Sequence, residues 1–125
     1  MLAIRRRTAG ETSLNSQPAQ FAHVDQSHAA TIARVHHHLS EAEASQRVKR
    51  RFQIINLWRP ISHPATDRPL ALCDYRSVDV DKDMLLNRLI YAHREGETLL
   101  VLENPNHQWK YVSGLRPDEY VLIKW

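Results

Sequence analysis

Apolar side chains recur along this chain at two different spacings, and the spacing changes where turn-forming residues fall. Phe21 to Asp25 alternates apolar and polar positions, which suits a short strand with one covered face. From Ala29 to Leu39, the residues Ile32, Val35 and Leu39 recur three and four apart and predict a helix. Ser40-Glu41-Ala42-Glu43 reads as a capping box, with Ser40 as N-cap and Glu43 reaching back, so a second helix is expected to run to about Arg50. Phe52 to Trp58 is β-branched and aromatic and predicts a strand that Pro60 and Pro64 terminate. Leu70 to Cys73, between Pro69 and Asp74, predicts another. Met84, Leu85, Leu89 and Ile90 fall on one side of a helix expected around Asp83 to Ala92. Three further strands are expected over Thr98–Leu102, Gln108–Val112 and Tyr120–Trp125. Asn104-Pro105-Asn106 and Gly114 to Pro117 supply the turns between them. Residues 1–20 carry little apolar periodicity and read as an irregular lead-in to one domain over residues 21–125. Short hairpin-linked strands with helices inserted imply a mainly β (α+β) fold, either an antiparallel sheet or part of a jelly roll.

Composition narrows the class of protein. A length of 125 residues supports one domain with a real core and hardly two. Lys+Arg 17 against Asp+Glu 14, a net charge of +3, is too balanced to imply nucleic acid as a partner. A nucleic-acid reading would rest on Arg5 to Arg7 and Arg47 to Arg51, and it predicts binding with a steep salt dependence. One cysteine, Cys73, excludes an internal disulfide framework and suits a reducing, cytoplasmic setting. No apolar run approaches a membrane span, so no membrane role is expected. Arginines following a very short apolar stretch at Met1 to Arg7 are the reverse of a secretory signal. An organellar transit peptide is the alternative, because Arg5 to Ser16 holds a single acid.

Several constellations could carry chemistry. In His23-Val24-Asp25, residues i and i+2 of a strand point to one face, so an imidazole and a carboxylate could approach one ion side by side. That is two thirds of a His₂-carboxylate facial triad, with Gln26 or Ser27 available to orient the carboxylate. The plainer alternative makes His23 an edge residue and Asp25 a cap for the following helix. Asn56 and Trp58 share one strand face, and Arg59 beyond them could grip an oxo-acid carboxylate in two places. Alternatively Asn56 pairs with backbone, and Arg59 with Asp67 or Asp74. His107, Trp109 and Tyr111 alternate and would line one strand face, as a cofactor wall, a barrel's inner layer or ordinary aromatic packing. His36-His37-His38 would fan out by ~100° per residue on a helix, so they do not converge on one ion. Lys49-Arg50-Arg51 complements a helix C-terminus, and Cys73 reads as a small buried residue rather than a reactive thiol.

In order along the chain, several of these segments are similar to one family. Arg5-Arg6-Arg7, Gln17-Pro18-Ala19 and His23 to Ser27 resemble the fungal AsaB-type hydroxylase/desaturases, which include gibberellin-desaturase-like and cephamycin-hydroxylase-like proteins. The resemblance continues through Asn56 to Ile61, Pro69 to Ser77, Asn104 to Tyr111 and Arg116 to Lys124, and so covers about residues 5–125. It implies a double-stranded β-helix and Fe(II)/2-oxoglutarate-dependent oxidation of a small organic substrate in secondary metabolism. By motif match His23 and Asp25 would be iron ligands, while Asn56, Trp58 and Arg59 would lie at the cofactor-binding mouth. Family members continue past the segment matching Tyr120 to Trp125 into a second histidine ligand and an oxoglutarate-anchoring arginine, and they have a longer region before Arg5. Neither is present here, so the chain is expected to be an incomplete domain. His107 is then the candidate for the missing ligand, and no residue is assigned as catalytic. The alternative is a non-catalytic remnant or binding module that forms a homo-oligomer through an open sheet edge.

Overall fold

The computed structural model describes Ala19 and residues 21–124, so the expected lead-in falls almost wholly outside the described residues. The elements run β1 (His23–Val24), α1 (His28–His38), α2 (Glu41–Arg47), β2 (Ile55–Trp58), β3 (Ala71–Cys73), a 3-10 turn (Tyr75–Ser77), α3 (Val80–Asp83), β4 (Met84–Tyr91), β5 (Arg94–Val101), β6 (Trp109–Tyr111) and β7 (Val121–Lys124). Among the described residues the strands form three antiparallel sheets, ordered β1-β5-β4, β2-β7 and β3-β6.

One expected element is of the wrong type. Met84 to Tyr91 is a strand rather than a helix, paired along its full length with β5 from Met84↔Val101 to Tyr91↔Arg94. The two residues left between the strands, Ala92 and His93, form the short connection of an antiparallel hairpin. Clustered leucines satisfy a helical face and a strand face equally well. The partner strand decides the matter by supplying main-chain hydrogen bonds, and Asn87 Nδ2 adds a side-chain bond to Thr98 Oγ1 at 3.2 Å. The only helix here is the four-residue α3 just before it.

The helices begin where their caps require. Ser27 is the N-cap of α1. Its Oγ accepts from Ala30 N at 3.1 Å and its carbonyl takes the amide of Thr31 at 2.9 Å. The same hydroxyl donates to Glu97 on β5 and so fastens α1 to the sheet. Ser40 caps α2 as expected, but Glu43 pairs with Arg47 at 3.4 Å one turn on. His36 bonds Glu41 at 3.1 Å at the α1–α2 junction, so the three consecutive histidines do not act together.

A buried polar knot secures the start of β4. The Asp83 carboxylate accepts from Asn104 Nδ2 at 2.9 and 3.1 Å, from His107 Nε2 at 2.9 Å and from the Asp79 amide at 2.8 Å. The side chains of His107 and Asp83 are only 2% and 6% exposed. The bonds from Asn104, then His107, then the Asp79 backbone hold the Asp83 carboxyl below the usual carboxylate range. A second knot joins the 3-10 turn to β6. Ser77 Oγ accepts from the Gln108 amide at 2.9 Å, and Asp74 takes Arg76 and Lys110 at 2.6 and 3.1 Å. Cys73, expected to be buried, is half-buried, with its Sγ beside Ser77 Oγ.

Apolar burial is thin. Ala44, Pro60 and Leu115 are the buried apolar residues among those described, and no large side chain is fully buried. On the β2–β7 ribbon, Asn56, Trp58, Val121 and Ile123 turn to the covered side. Leu57 and its cross-strand partner Leu122 face outward, 57% and 58% exposed.

Candidate metal centre

β1 is only two residues long, yet it aims the site. His23 pairs with Leu100 and Val24 with Leu99 on the central strand β5. Leu100 in turn opposes Leu85, so the imidazole shares a sheet face with Leu100, Leu85 and, two residues along, Thr98 and Asn87. The chain leaves the strand at Asp25 and enters α1 at Ser27. Asp25 is therefore not the helix cap that the plainer sequence reading made it, and its carboxylate turns to His23.

His23 Nε2 lies 3.1 Å from Asp25 Oδ1. His23 Nδ1 lies 3.0 Å from the Phe21 carbonyl, which can only accept, so Nδ1 carries a proton and Nε2 is the nitrogen turned toward the carboxylate. At 3.1 Å the ring nitrogen and the carboxylate oxygen can share a proton or stand as neighbouring donors to one metal ion. Bonds from a transition-metal ion to imidazole nitrogen and carboxylate oxygen run ~2.0–2.2 Å, so two donors at a right angle sit about 3 Å apart. The observed spacing fits a pair of adjacent ligands on one ion, and the nitrogen–oxygen donor set fits a divalent first-row metal.

The other carboxylate oxygen is held from a different sheet. Asn56 Nδ2, on β2, donates to Asp25 Oδ2 at 2.7 Å across 31 positions of sequence. The orienting donors expected at Gln26 and Ser27 are used elsewhere. Ser27 caps α1 and bonds Glu97, and Gln26 leaves its buried Oε1 without a hydrogen-bond partner among the described residues. The sequence singled out Asn56 as an amide in the middle of an apolar strand, costly unless satisfied, and placed it at the cofactor-binding mouth; nothing along the chain pointed to Asp25 as its partner.

The remaining sequence candidates divide. Trp58 shares the covered face with Asn56, as its spacing requires. Arg59 is exposed and donates to the Pro117 carbonyl at 2.8 Å, so neither Asp67 nor Asp74 pairs with it as the alternative held. His107 does not join His23 and Asp25. It is enclosed with Asp83 and stacks edge-on against Trp109 at 6.2 Å. No group of three His, Cys, Asp or Glu side chains converges to hold a metal among the described residues. Trp109 and Tyr111 lie on β6 with exposed rings, so they wall no cavity here. No helix among the described residues is long and apolar enough to cross a membrane.

The chain has named relatives. The family described as "Oxidoreductase/YMDC permease-like domain" matches residues 2–125. The "Hydroxylase/desaturase CTB9" of Cercospora beticola is 38% identical over 128 residues, covering 94% of this chain and 37% of its own length. The "Fe(II)/2-oxoglutarate-dependent dioxygenase nvfI" of Aspergillus novofumigatus is 31% identical over 120 residues, 95% of this chain and 43% of that protein. A solved structure, the "iron and alpha-ketoglutarate-dependent endoperoxidase NvfI", superposes with a TM-score of 0.84 at 28% identity, covering 95% of this chain and 44% of the other. The chain thus spans about two fifths of the length of the relatives it matches. At that coverage the fold is part of a jelly roll, and the chain belongs to the oxidoreductase family of the fungal hydroxylase/desaturases.

Proposed function

We propose that this chain is the portion of an Fe(II)- and 2-oxoglutarate-dependent hydroxylase or desaturase that presents the first two metal ligands, acting on a small organic molecule. The observation that carries this reading is the convergence of His23 Nε2 and Asp25 Oδ1 at 3.1 Å. Bound there, iron with 2-oxoglutarate supplies the oxidising power that no amino-acid side chain has. The chain's own residues do the holding. The Phe21 carbonyl keeps the proton on His23 Nδ1 and turns Nε2 to the ion, while Asp25 contributes one oxygen and a negative charge. Leu100 and Leu85, in the same cross-strand row as His23, place apolar side chains next to the pair. We assign Trp58, on the face of Asn56, and Arg59, at the end of β2, to the co-substrate side of the site, Arg59 for the planar fork that a carboxylate fits.

Anaerobic addition of Fe(II) and then 2-oxoglutarate to the chain should produce a visible charge-transfer band. His23→Ala and Asp25→Ala should abolish it, and His107→Ala should leave it in place. A featureless wild-type spectrum, or one unchanged by His23→Ala, overturns the reading.

A second reading is favoured by the outward face of the β2–β7 ribbon. Leu57 and Leu122 sit opposite each other and exposed on a sheet that has two strands among the described residues. A non-catalytic binding module that pairs with a second copy through this ribbon would present such a surface.

A further inference from the structure

We infer that Asn56 is a positioning residue of the metal site, one that sets which oxygen of Asp25 the ion receives. The inference rests on the reading of His23 and Asp25 as ligands and adds to it a residue on another sheet. Three observations support it. Asn56 Nδ2 donates to Asp25 Oδ2 at 2.7 Å, while Oδ1 is the oxygen 3.1 Å from His23 Nε2. A hydrogen bond from a neutral amide to an ionised carboxylate is strong and directional, so it fixes the rotation of the carboxylate and divides its two oxygens between two tasks. Asn56 also comes from β2, which pairs with β7 and not with β1. The position of Oδ1 therefore depends on how the β2–β7 ribbon docks on the β1-β5-β4 sheet. Finally, the amide sits on the covered face of a strand otherwise made of Ile55, Leu57 and Trp58, where a polar side chain is retained at a cost unless it has a partner.

With Oδ2 engaged, Asp25 offers one oxygen to the ion rather than two. A one-oxygen carboxylate leaves coordination positions open for a co-substrate, whereas a carboxylate free to rotate can chelate through both oxygens and close one of them. Outer partners of this kind typically govern metal affinity by 10–100-fold.

The test uses Co(II), whose visible absorption reports both binding and coordination number. The full chain, His23→Ala, Asn56→Leu and Asn87→Leu are titrated, with far-UV circular dichroism and urea unfolding recorded without metal. Asn87→Leu is the control, since Asn87 bonds Thr98 on the same sheet face as His23. Asn56→Leu is expected to weaken Co(II) binding about 10–100-fold and to change the shape of the Co(II) spectrum. Asn87→Leu should stay within about twofold of wild type, well short of the loss expected of an outer partner. Asn56→Ala, which removes the amide without adding bulk, repeats the measurement should Asn56→Leu fail to fold. Wild-type affinity and spectrum in a folded Asn56 variant overturn the inference while leaving the ligand assignment standing. Equal titration of wild type and His23→Ala overturns both.

Discussion

At the scale of single residues, Ser27, Asp74 and Asp83 each engage more than one partner. Ser27 shows this most plainly, because its hydroxyl caps α1 and also reaches Glu97 on β5. Ser27→Ala should cost about 1 kcal/mol for the lost cap alone, read as a lower urea midpoint with the slope unchanged. Asp83 gives a pH dependence of defined sign. Bonds from Asn104, His107 and the Asp79 amide depress its folded-state pKa, so its contribution to stability is complete above the ordinary carboxylate value of ~4. That contribution is lost as pH falls through the depressed value. Stability of the wild type measured below pH ~4 should therefore fall more steeply with acidification than that of Asp83→Asn. Equal slopes would show that the knot contributes nothing through ionisation. The same knot explains why His107 could be named from sequence as a metal ligand and yet is not placed as one. A histidine preceding an aromatic strand looks available until its buried carboxylate partner, 24 positions away, is known.

Secondary-structure elements divide by what decides them. The cap at Ser40 and the strand at β2 follow from local residue types and lie close to where the sequence reading puts them, whereas the cap of α1 is Ser27 and not Asp25, the residue that reading offered. β4 does not, because leucines at 85, 86 and 89 are helix formers and only the pairing with β5 makes them a strand. Two glycines test the local backbone in opposite directions. Gly96 lies inside β5, and an added Cβ would meet Tyr91 Cε2 at 3.4 Å, an ordinary contact. Gly96→Ala should therefore stabilise the hairpin by roughly 0.5 kcal/mol. Gly114 turns the chain before β7 at φ +65°. There an alanine should cost about 1 kcal/mol even though nothing stands in its way. Thermal melts of the two variants should move apart, upward for the first and downward for the second.

The whole molecule is short of buried apolar surface. Three small sheets share few fully enclosed side chains, and the outward face of β2–β7 leaves Leu57 and Leu122 in water. Apolar area left in water is a driving force for association. Wild-type protein is expected to self-associate with rising concentration in sedimentation velocity runs. Leu57→Lys with Leu122→Glu places opposite charges across the strand pair, which keeps the ribbon intact, and should shift the population toward monomer. A wild type that stays monomeric throughout would remove the support for the binding-module reading.

Apolar spacing was sufficient for α1, the capping box for α2 and residue type for β2 and the mainly β character, and the two-residue separation of His23 and Asp25 was sufficient to bring them together, although Asp25 lies just past β1. Those are short-range matters, in which each residue's geometry is set by others within a turn or a pleat. The order of family-like motifs carried the oxidoreductase kinship for the same reason, since it too is written along the chain. Tertiary structure alone decided that 84–91 is a strand, that His107 belongs to Asp83, and that the residue orienting Asp25 is Asn56 and neither Gln26 nor Ser27. The partners lie up to 17 positions away for the strand, 24 for His107 and 31 for Asp25, and are reached by strand pairing or sheet docking. No spacing rule encodes such a partner, because closing a long loop brings together residues whose local sequences hold no trace of one another.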